Sequence, residues 1–81
     1  MTSPLSFRAP VKHFFDAVIA DLVEDPRSRK EAERSDLQHY ITRIDDLPPI
    51  RVDGMRMLDG LHRVAAARLL GRLTIRACRE T

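Results

Sequence analysis

The stretch that decides the fold is Leu47-Pro48-Pro49-Ile50-Arg51-Val52-Asp53-Gly54-Met55-Arg56-Met57-Leu58-Asp59-Gly60-Leu61-His62-Arg63-Val64-Ala65-Ala66-Ala67-Arg68-Leu69-Leu70-Gly71. Ile50 and Val52 alternate with Arg51, and Met55 and Met57 alternate with Arg56. A two-residue Asp53-Gly54 linker between alternating runs is a strong short-range hairpin signal. Paired about that linker, Val52 faces Met55, Arg51 faces Arg56 and Ile50 faces Met57. The apolar pairs share one face, and the two arginines are directly opposed, which is unfavourable without water or an anion between them. Asp59-Gly60 breaks the alternation. Leu61, Val64, Ala65 and Leu69 then follow helical spacing, and Gly71 stands where a helix commonly ends.

Working outward, Leu73, Ile75 and Ala77 alternate with Thr74 and Arg76, which predicts a final strand. Before Leu47, Ser35 and Gln38 match a capping box, and Leu37, Tyr40, Ile41 and Ile44 predict a helix over 36–45. The segment 26–34 is charged and reads as a loop, with Arg27, Arg29 and Lys30 as candidate anion contacts. Val11, Phe14, Phe15, Val18, Ile19, Leu22 and Val23 form a stripe at helical spacing, which predicts a helix over 11–24 ended by Asp25-Pro26. Leu5 and Phe7 alternate with polar neighbours, which predicts a short strand within 3–9. The order is strand, two helices, hairpin, helix, strand: a compact α/β fold with a small mixed sheet and about three helices.

The 81 residues make one domain, 1–81, with no repeats. Hydrophobic residues at 43% and charged residues at 32% fit a folded soluble chain rather than a disordered one. Trp is absent and aromatics are 5%, which argues against stacking platforms for single-stranded nucleic acid. Cys78 is the sole cysteine, so a disulfide framework and a cysteine-rich zinc site are excluded. No apolar run approaches the ~20 residues of a membrane span. No signal-peptide pattern opens the chain, and the expected location is the cytoplasm. The net charge of +2 is uneven: residues 1–46 carry −2 and residues 47–81 carry +4, with arginine the only base in the second half. Arginine suits bidentate contact with phosphate or carboxylate.

The chemistry concentrates at Asp59-Gly60-Leu61-His62-Arg63. A strand running through a glycine turn into a helix presents unpaired backbone N–H groups and the positive end of the helix dipole, a geometry suited to anions. Gly60 allows close approach of the backbone and a turn conformation open to few other residues. Arg63 offers a bidentate clasp, and His62 a hydrogen bond or a proton near neutral pH. Asp59 is placed to cap the helix or to hold a magnesium ion that accompanies phosphates. Two cations in a first helical turn are disfavoured by ~0.3–1 kcal/mol each, a cost that a bound anion reverses.

These residues resemble the ParB/sulfiredoxin superfamily. Its pattern is a Pro-Pro-Ile-x-Val strand, an Asp-Gly-x-His-Arg turn and an Ala-rich helix ending in Leu-Gly, matched here over about 47–77 and most similar to the ParB-like domain of antibiotic-cluster regulators of the streptomycin type. The resemblance implies a turn that cradles nucleotide phosphates: CTP in ParB proteins, ATP or ADP in sulfiredoxins and ParB-like serine kinases, with Mg. Gly60, Leu61, His62 and Arg63 would bind phosphate, and Asp59 would lie on the metal side. Arg27, Arg29, Lys30 and Arg51 are further anion contacts to be tested. The superfamily's sulfiredoxin cysteine is replaced by Leu61, so sulfinic acid reduction is not expected. No segment matches a helix-turn-helix. Kinase-like members use a carboxylate, for which Glu24, Glu31 and Glu33 are the upstream candidates. The expectation is a nucleotide-binding ParB-like module, with slow NTPase or phosphotransfer activity as an open question. The alternatives are a DNA-associated accessory or transcription-regulatory protein, or a protein-interaction module, and a homodimer is compatible with so small a chain.

Overall fold

The computed structural model describes residues 12–80, so the short strand expected within 3–9 lies outside the described residues. Strand β1 spans Lys12–Val18 and runs into a single 3₁₀ turn, Ile19–Asp21. Helices α1 (Pro26–Arg34) and α2 (Gln38–Thr42) follow, then strands β2 (Ile50–Asp53) and β3 (Arg56–Asp59), helix α3 (Leu61–Leu69) and strand β4 (Thr74–Glu80). The sheet order is β1-β4-β2-β3. β1 pairs antiparallel with β4, β4 parallel with β2, and β2 antiparallel with β3. Chain order therefore puts the hairpin and α3 in the crossover between the two parallel strands. The expected mixed α/β sheet is present.

The helix expected over 11–24 is instead a strand and a turn. Its apolar stripe can also be read with period two, and Phe15, Ala17 and Ile19 pack into the core. Two phenylalanines and a valine favour a pleated surface, and pairing of all seven β1 residues with β4 supplies the ladder that a lone helix lacks. Phe14 is left 53% exposed, which a single buried helical stripe does not explain.

Asp25-Pro26 starts a helix rather than ending one. The Asp25 carboxylate accepts hydrogen bonds from the Ser28 backbone N–H (3.1 Å) and hydroxyl (2.9 Å). Pro26 occupies the first turn, where its missing N–H costs nothing. The segment expected to be a loop is thus α1. Ser35 then closes α1, its hydroxyl donating to the Ala32 carbonyl at 2.6 Å. Asp36 takes over at the start of α2, accepting from the Gln38 N–H at 3.0 Å. With Ser35 engaged backwards the capping box does not form, and α2 is shorter than the expected 36–45.

The hairpin is present with a shifted register. Gly54 and Met55 form the connection, with Gly54 at φ +63°. A β-bulge falls between Arg51 and Val52, and the pairs are Arg51 with Asp59, Val52 with Met57 and Asp53 with Arg56. The expected Arg51–Arg56 opposition is gone, because each arginine now stands across from an aspartate. The outer side of β3 is met by Val23, whose N–H donates to the Met55 carbonyl (2.8 Å) and whose carbonyl accepts from Met57 (2.9 Å).

α3 lies at the centre of the packing. Val64 and Ala67 join Ile50, Val52 and Ala77 on the sheet side. Ala65 joins Ala32 and Leu37 on the side of α1 and α2. Three consecutive alanines let both layers approach closely, and α3 is buried from Val64 to Ala67. That enclosure fixes the position of its first turn.

Candidate anion site at the start of helix α3

Gly60 is the N-cap of α3, with φ +113° and ψ 22°, a left-handed conformation that other residues rarely adopt. A Cβ built there would lie 2.5 Å from Ile50 Cγ2 and 2.8 Å from Ile50 Cβ. Glycine is therefore required twice, by backbone conformation and by the strand beneath. The first intrahelical bond runs from Val64 N–H to the Gly60 carbonyl at 3.0 Å. No side chain caps this terminus, so the Asp59 cap expected from the sequence does not form.

Asp59 instead accepts a hydrogen bond from Arg63 Nη2 at 3.4 Å. Its side chain is 59% exposed. Among the described residues no group of three or more His, Cys, Asp or Glu is placed to hold a metal ion. Asp59 fits magnesium only as a single carboxylate on an ion that arrives with phosphates, which is a common magnesium arrangement.

Arg63 is mostly enclosed. Its Nη1 donates to the Pro48 carbonyl at 2.8 Å and to the Pro49 carbonyl at 2.7 Å. Both hydrogens of that nitrogen are thereby used. Two prolines leave a run of carbonyls without the intervening N–H groups that a strand ladder would use; Arg63 supplies donors to these carbonyls and ties the entry of β2 to α3. It is an internal brace, with Nε and one Nη2 hydrogen remaining for a ligand. Arg63→Ala is expected to destabilise the domain by about 2 kcal/mol, since hydrogen bonds to charged groups contribute ~1.5–3 kcal/mol. Urea unfolding measures this; an unchanged midpoint would mean the brace carries no load.

His62 is exposed, and its ring stacks on Tyr40 of α2 at 5.4 Å between centroids and 16° between planes. Tyr40 is the residue that sequence reasoning missed. It was legible as part of a helical stripe, but nothing in the spacing tied it to His62. Arg51 is brought beside the turn by its pairing with Asp59. Arg27, Arg29 and Lys30 are placed elsewhere. Ala32 packs on Ala65, and Arg29 lines a cavity with Arg68 and Leu73, so α1 runs antiparallel to α3. The three bases lie toward the far end of α3 from Gly60. Arg29 is also paired with Glu33 at 3.2 Å, and Arg27 and Lys30 line a groove with Glu31 on α1 itself. Glu24 is paired with Arg68 in the last turn of α3. None of the three candidate carboxylates is seen at the turn. Cys78 is buried on β4.

Neither a protein-family model nor a curated protein matches this sequence. Two structures of a pNOB8-like ParB N-domain match the fold, with TM-scores of 0.66 and 0.67. They are 19% and 16% identical to this chain and cover 89% and 95% of it. The fold is that of a ParB N-domain. The chain spans 30% of the length of each of those chains. Among the described residues no helix is long and apolar enough to cross a membrane.

Proposed function

We propose that this ParB-like module binds the phosphates of a nucleotide (ATP, ADP or CTP, with Mg) at the start of α3. The observation that carries this reading is the uncapped helix terminus behind left-handed Gly60, with His62 exposed in the first turn. Backbone N–H groups of Leu61 and His62 would meet phosphate oxygens, assisted by the dipole of a nine-residue helix. His62, held flat against Tyr40, would donate a further hydrogen bond. Arg63 would contribute through charge and its remaining donors while bracing Pro48-Pro49. Asp59 would share a magnesium ion with the phosphates, and the Arg51 guanidinium would add positive charge nearby. Slow NTPase or phosphotransfer activity is compatible with such a site, because phosphoryl transfer depends chiefly on positioning and charge neutralisation.

Calorimetric titration with ATP, ADP and CTP, with and without Mg, tests the proposal. At least one nucleotide is expected to bind more tightly than ~1 mM, a threshold equal to about −4.1 kcal/mol. His62→Ala is expected to weaken that binding about tenfold, the worth of one hydrogen bond to a charged group, and to lower the thermal unfolding midpoint by only a few degrees, through loss of the stack on Tyr40. Absence of binding for all three nucleotides by a folded protein would overturn the reading.

A further inference from the structure

Pro48 and Pro49 leave a second feature in the fold. β2 begins at Ile50, opposite Ala77, so the β4 residues before Ala77 have no ladder partner on the β2 side. Proline cannot extend that ladder, and Arg63 pins both proline carbonyls instead. The notch left beside β4 is a cavity of about 330 Å³. That volume is at the lower end of the range for small-molecule sites.

Its walls and rim differ in character. Ile44, Leu47, Ala67 and Ile75 supply apolar wall. Arg63, Arg72 and Arg76 converge on it from α3, the loop after α3 and β4. Two carboxylates, Asp16 and Asp45, also line it, leaving one positive charge in excess. Arg72 is paired with Asp45 at 2.9 Å, but both side chains are exposed, at 45% and 77%. Exposed pairs of this kind contribute little, so Arg72 can exchange Asp45 for a ligand. Arg76 lies over the Phe14 ring, 5.6 Å from its centroid. A concave site with apolar walls focuses the field of such charges.

We propose that this cavity binds a small organic anion, an apolar body carrying one carboxylate or phosphate. The acidic head pairs with Arg72 and Arg76, and the body rests on Leu47, Ala67 and Ile75. The site is separate from the turn at Gly60, and Arg63 is the only residue the two share. The proposal does not rest on nucleotide binding, because Arg72 and Arg76, which hold the acidic head, lie outside the phosphate site.

Amide-shift mapping on the isotope-labelled full chain tests this, with benzoate, phenyl phosphate and neutral benzamide as probes. Benzoate or phenyl phosphate is expected to shift the amides of Asp45, Thr74, Ile75 and Arg76 saturably, with Kd about 1 mM, the affinity within reach of so small a ligand. Comparison of the two acids identifies the preferred head group, and benzamide is expected to leave these amides in place. Arg72→Gln and Arg76→Gln, both at exposed positions, are each expected to weaken binding about threefold to tenfold. The proposal is overturned by unsaturable shifts, by equal effects of benzamide, by variants that bind like the parent, or by shifts confined to Gly60–His62. The last result would assign the anion to the helix terminus instead.

Discussion

Gly60→Ala is expected to destabilise the domain by about 3–5 kcal/mol. Two independent costs combine. A left-handed conformation at a non-glycine residue costs ~1–3 kcal/mol, and Gly60 sits at φ +113°. Overpacking costs a further ~1–3 kcal/mol, because the new methyl would press on Ile50, which is fully buried and cannot swing away. Gly54→Ala is the matched control. Gly54 also has positive φ, at +63°, but nothing lies within 4 Å of its added Cβ. It should lose only the backbone part, about 1–2 kcal/mol. Urea unfolding of both variants separates the two costs. Equal losses would show that Ile50 yields, and that the turn is not wedged against β2.

Removing the Glu24 side chain should have an effect of similar size, about 3 kcal/mol, at the opposite end of α3. The Glu24 side chain is only 3% exposed and is hydrogen-bonded to Arg68. One oxygen of Glu24 and one nitrogen of Arg68, Nη1, are buried with no partner. Such a pair is weak evidence for stability as a whole, yet breaking it leaves a charge without its counter-ion, which typically costs ~3–5 kcal/mol. Arg68 retains 21% exposure, so it can turn partly to water, and the lower end of that range applies. Glu24→Leu combined with Arg68→Met should recover most of the loss, because the cost lies in the uncompensated charge. A double variant as unstable as Glu24→Ala would contradict this account and point to lost packing.

Legibility in the sequence followed how local each signal was. The Asp59–Arg63 turn, α3 and its end at Gly71 depend on adjacent residues, and they stand where the spacing put them. β1 does not. Its residues satisfy periods of both two and 3.6, and only pairing with β4, from Val18 with Thr74 to Lys12 with Glu80, decides between them. Asp25-Pro26 was ambiguous in a different way: aspartate before proline both disfavours a helix behind it and caps one ahead. The Asp25–Ser28 bonds settle it. The hairpin register turned on whether Asp53 or Met55 shared the turn with Gly54, and a bulge that no pattern signals completed the shift. At the site, Gly60 and exposed His62 were readable. The bracing role of Arg63 was not, because it depends on carbonyls fourteen and fifteen residues earlier.

The most direct test of the central claim is a crystal structure with nucleotide and Mg bound. Phosphate oxygens are expected about 3 Å from the backbone nitrogens of Leu61 and His62, with Arg63 still holding Pro48 and Pro49. Phosphates bound elsewhere on the domain, with the α3 terminus facing only solvent, would contradict it.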